Sequence, residues 1–295
     1  MHKLAKIILN LDRRIIYSIV MLCVAVPLIR PFGLPFRVTP EVQDGFELIE
    51  SLHKGDVIVI SADYGPSAEA ETHPMYVALL HQCFRKGVRP VILTLIPDGP
   101  GLASRGLADV LNFSDPQTQQ QPYKDFVAGQ DYVFLGYKTG SQAIMIGIGQ
   151  GFTGTFPTDY NGTETASMQI FRDAPKLSDT KCVFDIASVG LPEYWIPYGT
   201  ERAGIPFIVS CTAVSAPQYY PYYTAGQATG LIGGMKGAAE YEKLVDMAAI
   251  TGNDGPATKG LDAQSAVHVF IILAIVIANF FYVIDRRRPL SGGVA

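Results

Sequence analysis

The chain has 295 residues, with 23 Lys and Arg against 27 Asp and Glu, for a net charge of −4. This mild balance, with no stripe of Lys or Arg inside the chain, excludes a nucleic-acid-binding surface. The 15 Tyr and 15 Phe exclude a disordered chain, because disordered segments are poor in aromatic residues.

The cysteines predict neither a metal site nor a disulfide framework. No C-x-x-C pair occurs among the four cysteines, so a structural zinc site is not expected, and we predict no metal and no cofactor. Cys182 and Cys211 each adjoin a predicted strand. They could form one disulfide or remain buried free thiols, and the second arrangement is the more ordinary.

Two hydrophobic segments lie near the ends of the chain. Residues 15–29 follow Arg13 and Arg14, and residues 266–284 are followed by three arginines at 286–288. Positive charge beside a span marks the cytoplasmic side, so we predict two transmembrane helices with both termini cytoplasmic. A cleaved signal peptide is the alternative for the first segment, although no clean cleavage site follows it.

These spans predict a division of the chain into three parts. Residues 1–30 would form the cytoplasmic N-terminus and the first span, and residues 265–295 the second span and a basic cytoplasmic tail. Residues 31–264 would form an extracytoplasmic domain, periplasmic if the source is bacterial. The lipid bilayer is then a predicted partner.

The central part alternates short apolar runs with helical patterns. The predicted strands are residues 57–61, 91–96, 132–137, 181–187 and 206–211. The predicted helices are residues 74–86, 101–111, 141–148 and a long one over 223–249, while 152–175 are irregular and 251–264 form a linker. This alternation is typical of a parallel sheet covered on both faces.

We therefore predict an α/β fold. It is a doubly wound, mostly parallel sheet of about five strands with helices on both faces, flanked by two transmembrane helices. A division into two domains near Pro116 is the alternative.

Candidate binding residues follow from the rule that ligands of open α/β sheets lie beyond the carboxyl ends of the strands. Asp63 and Ser67 follow the first predicted strand, Asp98 follows the second, and Lys138 and Ser141 follow the third. Asp63 and Asp98 would be neighbours if their strands pair, and two carboxylates could bind a cation or act as acid and base. Helix capping and turn formation are the more ordinary roles for both.

No catalytic motif supports an enzyme. The chain lacks G-x-S-x-G, H-E-x-x-H, a P-loop and a correctly spaced dinucleotide fingerprint. His73 precedes Pro74 at a predicted helix start, where capping is favoured over catalysis. The sequence therefore identifies no catalytic residue and leans away from an enzyme.

A run of glycines in the last predicted helix is the strongest internal signal. Each glycine inside a helix costs about 1 kcal/mol relative to Ala, so a close packing partner is expected. The candidates for packing or interface are Gly226, Gly230, Gly233, Gly234 and Gly237, with Tyr219, Tyr220, Tyr222 and Tyr223 before them. The partner could be another subunit or the sheet of the same domain.

Three functions are consistent with these patterns. We predict first a membrane-anchored structural or scaffold subunit that assembles into a homo-oligomer or a larger membrane complex. An extracytoplasmic domain that binds or senses a small molecule is the second prediction. A hydrolase that uses Asp63, Asp98 and His73 in the strand-end crevice is the third.

Overall fold

The computed structural model of the protein describes residues 9–286, which form two compact units. The larger unit is Pro35–Thr258, and Pro116 lies inside it. The smaller unit combines the described parts of Met1–Leu34 and Lys259–Ala295.

A six-stranded sheet forms the centre of the larger unit. Its strands are β1 (Val57–Asp63), β2 (Arg89–Thr94), β3 (Val133–Tyr137), β4 (Val183–Ala187), β5 (Phe207–Cys211) and β6 (Gly230–Gly233). Every neighbouring pair is parallel, and the strand order is β3-β2-β1-β4-β5-β6. The predicted parallel α/β fold is thus confirmed, with one strand more than expected.

Helices surround this sheet. They are α1 (Arg13–Ile29), α2 (Pro40–Glu50), α3 (Glu69–Lys86), α4 (Gly99–Leu111), α5 (Ser141–Gln150), α6 (Phe152–Thr155), α7 (Gln169–Asp173), α8 (Pro192–Trp195), α9 (Glu201–Ala203), α10 (Ala216–Thr224), α11 (Gly234–Val245), α12 (Met247–Thr251) and α13 (Pro256–Arg286). Two 3₁₀ turns, Thr165–Ser167 and Leu177–Asp179, and a π turn, Ile196–Thr200, complete the described secondary structure.

The helices form two layers because the chain changes face after β3. Helices α2, α3, α4 and α11 pack against one another on one face. The core of the opposite face joins Val59 of β1 and Val183 of β4 to Met145 of α5, Trp195 of α8 and Tyr219 of α10. Side chains of a strand alternate between the two faces, so each buried strand contributes to both cores.

The predicted helix over residues 223–249 is wrong. Helix α10 ends at Thr224, β6 then pairs with β5, and α11 begins at Gly234, which turns the chain at φ +63°. Gly230 allows this strand to approach α2, since a Cβ there would lie 2.5 Å from the Cα of Gly45. The glycines therefore serve a strand and its turn rather than one continuous helix.

Two other predicted boundaries are wrong. Helix α3 begins at Glu69 rather than at Pro74, because Glu69 and Glu71 in its first turn stabilise the positive end of the helix dipole. The predicted linker over 251–264 contains the start of α13, where Pro256 occupies the first helical position. Glu242 accepts hydrogen bonds from the amides of Ala257 (3.0 Å) and Thr258 (2.9 Å), which satisfies donors of that first turn.

The described part of the chain contains one helical stretch long and apolar enough to cross a membrane, not two. That stretch is Pro256–Ile284 of α13, and its most apolar window is not buried at all. Helix α1 forms where the first span was predicted, but it has 17 residues and begins with Arg13 and Arg14. Arg287 and Arg288 of the predicted basic tail lie outside the described residues.

A carboxylate links the two ends of the chain within the smaller unit. Asp262 of α13 accepts hydrogen bonds from the amides of Phe32 (2.7 Å), Gly33 (2.9 Å) and Leu34 (3.2 Å). Asp262 is almost fully buried. The segment that follows α1 is therefore bound to the first turns of α13.

Candidate functional site

The strand order changes direction between β1 and β4, and a crevice is expected at the carboxyl ends of these strands. From β1 the chain continues through α3 to β2 on one side, whereas β4 pairs with β1 on the other side. Helix α3 lies on one face of the sheet and α8, which follows β4, belongs to the core of the opposite face. The loops that leave β1 and β4 therefore diverge, and such a switch in strand order is where open α/β sheets bind ligands.

Two aspartates lie beneath this crevice. Asp63 is the last residue of β1, and Asp185 lies in β4 as the register partner of Ser61. The side chains of Ser61, Asp63 and Asp185 are fully buried. They point to the same face as Val59 and Val183, because they follow those residues by two or four positions.

The two aspartates differ in their hydrogen bonds. Asp63 accepts from the hydroxyl of Ser61 and from the amide of Leu95. Neither carboxylate oxygen of Asp185 has a donor among the described residues. Buried polar groups are nearly always hydrogen-bonded, so an unpartnered buried carboxylate marks a place for a ligand, a water molecule or a proton.

Burial and mutual repulsion govern the charge of this pair. Burial raises the pKa of Asp63 from 3.8 to about 6. Burial, and next the charge of Asp63, raise the pKa of Asp185 well above its usual value. Asp185 therefore binds its proton more tightly than Asp63 does.

Asp98 is near Asp63 along the sheet edge but does not form the expected carboxylate pair. Strands β1 and β2 pair as the prediction required. A Cβ on Gly65 would lie 3.3 Å from the Cβ of Asp98. Asp98 is exposed, however, whereas Asp63 is buried. The acidic partner of Asp63 is Asp185, which the sequence prediction missed. Its signal was an aspartate inside the apolar run Val183–Ala187.

Of the remaining binding candidates, Ser67 lies on a loop that borders the switch, whereas Lys138 and Ser141 lie away from it. Ser67 is exposed on the loop after β1. Lys138 and Ser141 follow β3, which is an edge strand two positions from β1. The ammonium of Lys138 donates to the carbonyl of Thr155 and lies 5.4 Å from the ring centre of Phe156. That ammonium therefore already has protein partners.

His73 belongs to the other face of the sheet. It lies inside α3 rather than at its start, and its Nδ1 is 2.8 Å from the hydroxyl of Tyr64. Burial lowers the pKa of His73. Tyr64 and Tyr76 surround it with aromatic rings. His73 is consequently a packed, neutral histidine near the site, in a different cluster from Asp63 and Asp185.

Exposed apolar side chains border the carboxyl edge. Val189 follows β4 and is 46% exposed, and Val214 follows β5 and is 89% exposed. Tyr194 of α8 is 41% exposed. The backbone amide of Ala213 donates to Glu71 of α3 at 2.8 Å, which holds the loop after β5 near the start of that helix. The exposed apolar side chains therefore belong to segments that leave the sheet at its carboxyl edge.

The glycine and tyrosine candidates have partners within the larger unit. A Cβ on Gly233 would lie 2.7 Å from Ala216, one on Gly234 would lie 2.5 Å from Ala213, and one on Gly237 would lie 3.1 Å from Ile232. Gly226 turns the chain at φ +76° with open space around it. These approaches account for four of the five glycines without a second subunit.

The tyrosines pack in the same way. Tyr219 is buried in the core, and Tyr222 is partly buried against it. The hydroxyls of Tyr220 and Tyr223 donate to Glu41 (2.6 Å) and Asp44 (2.5 Å) of α2. Helix α10 is therefore joined to α2 by two hydrogen bonds.

The described residues contain no group of three or more His, Cys, Asp or Glu side chains that could hold a metal ion. Cys83, Cys182 and Cys211 are buried free thiols, without the disulfide that the sequence left open. No protein-family model matches the chain, and neither a curated protein nor a solved structure shows significant similarity to it.

Proposed function

We propose that the larger unit is a binding domain for a small molecule, which lies in the crevice between the loops after β1 and β4. The observation that supports this most strongly is the unpartnered carboxyl of Asp185, buried beneath the change in strand order. A change in strand order is where open α/β sheets bind ligands. The carboxyl of Asp185 could accept a hydrogen bond from such a ligand, because no protein donor among the described residues occupies it.

The charges at this edge favour a ligand with hydrogen-bond donors. Phosphate groups usually bind the positive end of the helix that follows the first strand. Here Glu69 and Glu71 occupy the first turn of α3, so a phosphate would meet two carboxylates instead. An amine or hydroxyl could donate to the acid pair, while the apolar part of the ligand contacts Val189 and Tyr194.

Native mass spectrometry of the full chain, purified from expressing cells in mild detergent, tests this proposal. We expect a retained adduct of constant mass, and the Asp185→Asn variant should lose it. Glu164→Gln is a matched control, because Glu164 is an exposed carboxylate on the loop before a 3₁₀ turn. A protein without an adduct, and without a thermal shift from a library of amines and polyols, would refute the proposal.

Membrane attachment is the second part of the proposal. We propose that α13 crosses the membrane with its arginine end on the cytoplasmic side, because Arg286 closes an apolar helix. We propose further that α1 crosses in the opposite direction, with snorkelling arginines extending its short span. The hydrogen bonds from residues 32–34 to Asp262 support this hairpin, since they join the end of α1 to the beginning of α13.

Cysteine accessibility in intact cells tests the topology. With the four native cysteines replaced by serine, Ser167→Cys should react with an impermeant maleimide and Ser291→Cys should not. Labelling of both positions in intact cells would contradict the topology.

Assembly with other subunits is a separate proposal. It depends on exposed apolar side chains rather than on the glycines that the sequence suggested. The glycines have partners within the unit, but the exposed side chains of Tyr194 and Val214 could be covered by a second copy or another membrane subunit. Light scattering after size exclusion in mild detergent should then give a mass above one chain. A monomer from which crosslinking recovers no partner would reject a scaffold role.

A further inference from the structure

A second cavity lies at the opposite edge of the sheet. Its volume is about 580 Å³, and it opens beside the loops that enter β1 and β2, with Lys54, Gly55 and Gly87 in its wall. Ligand pockets typically have volumes of roughly 300–1,000 Å³. A neighbouring cavity of about 450 Å³ shares Arg85 and Lys86 with it. The amino edge therefore offers space for a small ligand far from the change in strand order.

The wall of this cavity is rich in cations. Lys54, Arg85, Lys86 and Arg89 line it, against a single lining carboxylate, Asp131. The carboxylate of Asp131 accepts from the amide of Val127 at 2.9 Å, within its own loop. Its nearest fixed partner is therefore a backbone donor rather than a cation of the wall.

Two of these cations are neutralised and two are not. Lys86 pairs with Glu50 at 3.1 Å, and Arg89 pairs with Asp173 at 2.7 Å. Arg85 donates to the neutral carbonyl of Val245 at 2.7 Å and forms no ion pair within residues 9–286, although its charge interacts with that of Glu50 nearby. Lys54 forms no ion pair within residues 9–286.

Glycine positions the side chain of Lys54. Gly87 has a φ of +70°, and a Cβ there would lie 2.8 Å from the Cγ of Lys54. The absence of a side chain at position 87 thus lets the stem of Lys54 cross the loop that enters β2. Arg89 fixes the neighbouring loop, because its Nε and Nη2 both donate to the carbonyl of Gly55.

Aromatic rings supply the apolar part of the wall. Phe84 and Phe126 line the cavity with their ring centres 5.0 Å apart in an edge-to-face arrangement. Phe84 is buried and Phe126 is partly exposed. The exposed part of this pair could contact a flat or aliphatic group while the ammonium and guanidinium bind an anion.

From this wall we infer a site for a phosphate-bearing ligand with an apolar body, bound by Lys54 and Arg85. The same chemistry belongs to a soluble phosphate ester and to the headgroup of an anionic lipid. This site is separate from the crevice between β1 and β4 and does not depend on the function proposed for it.

Calorimetric titration of the detergent-solubilised full chain tests this inference. Phenyl phosphate is the soluble probe, and dihexanoyl phosphatidylglycerol is the lipid probe. We expect saturable binding of at least one probe and weakening of about tenfold in Lys54→Gln, because one charge-assisted contact contributes about 1.5 kcal/mol. Raising the ionic strength should weaken binding as well.

Lys181→Gln is the matched control. Lys181 is an exposed lysine that pairs with Asp56 at 3.6 Å and does not line the cavity, so its loss should change binding less than twofold. Binding of phenyl phosphate alone assigns a soluble ester, and binding of the lipid alone assigns a headgroup. Absence of saturable binding for both probes, or equal weakening by both substitutions, would overturn the inference.

Discussion

At the carboxyl edge of the sheet the acid pair Asp63 and Asp185 is buried, whereas at the amino edge the unpaired cations are exposed. Both side chains are fully buried, and Asp63 accepts hydrogen bonds from a hydroxyl and a backbone amide. Lys54 and Arg85 border open space. The buried acids should therefore affect stability strongly and the exposed cations weakly, since solvent screens exposed charges.

Substitution of Asp63 should produce the largest effect on stability. Asp63→Ala removes the acceptor for two buried donors, those of Ser61 and Leu95, so we expect a loss of about 3 kcal/mol in the free energy of unfolding. Thermal or urea unfolding of the full chain in detergent measures it. Asp98→Ala, at the exposed neighbouring position, should cost less than about 0.5 kcal/mol. Equal losses would show that the carboxyl edge is not sealed.

The pH dependence of stability should sharpen the comparison further. Burial raises the pKa values of Asp63 and Asp185 in the folded state, so the folded protein binds more protons than the unfolded chain above pH 3.8. The contribution of this pair to stability is then fully present at or below this pH and falls by a few kcal/mol as the pH rises through about 6 and beyond.

Melting temperatures measured across this pH range check the slope. Asp185→Asn should flatten it, because the variant has one buried acid fewer and relieves the repulsion on Asp63. It should also raise the stability of the ligand-free protein at alkaline pH by about 1 kcal/mol. A wild-type slope that the substitution leaves unchanged would place the titrating groups elsewhere.

At the amino edge, Arg89 should contribute moderately. Arg89→Gln removes two hydrogen bonds to the carbonyl of Gly55 and the ion pair with Asp173, and we expect a loss of about 1 kcal/mol. Urea unfolding measures it, with Lys181→Gln as a control of smaller effect. A loss as large as that of Asp63→Ala would remove the contrast between the two edges.

A small effect should come from an exposed ion pair at the carboxyl edge. Arg105 pairs with Glu69 in the first turn of α3, and both side chains are at least one-third exposed. Glu69→Gln should cost about 0.5 kcal/mol, and 1 M salt should abolish most of the difference in melting temperature. A salt-independent loss would indicate that this pair is shielded in the way that the buried acids are.

The sequence predicted the sheet better than it predicted the site. Strands such as 57–61 and 206–211 are continuous apolar runs, so their burial on both faces could be predicted from local composition. Strand β6 was missed because Gly230–Gly233 is short, and its glycines repeat at a spacing that also suggests a packed helix. Contact with Gly45 of α2, distant in sequence, explains Gly230, and contact with Ala216 explains Gly233.

Contacts between segments distant in sequence also limited the prediction of the site. Asp63 could be found because it ends a strand, and strand ends can be identified from the sequence. Asp185 could not be linked to it, because the placement of β4 beside β1 follows a crossover from the far side of the sheet. The lining of the amino-edge cavity was likewise hidden, since Lys54, Arg85 and Phe126 come from three separate segments.

The contact between Gly45 and Gly230 has an asymmetry that should appear in the tolerance of each position to substitution. A Cβ on Gly230 would enter the backbone of α2 at 2.5 Å, whereas a Cβ on Gly45 would meet side-chain carbons of Ile232 and Ile208 at 3.3 and 3.4 Å. Side chains can shift and backbone cannot. In homologous or randomised sequences, alanine should therefore be acceptable at position 45 and excluded at position 230. Glycine should then be required in strand β6 but not in helix α2.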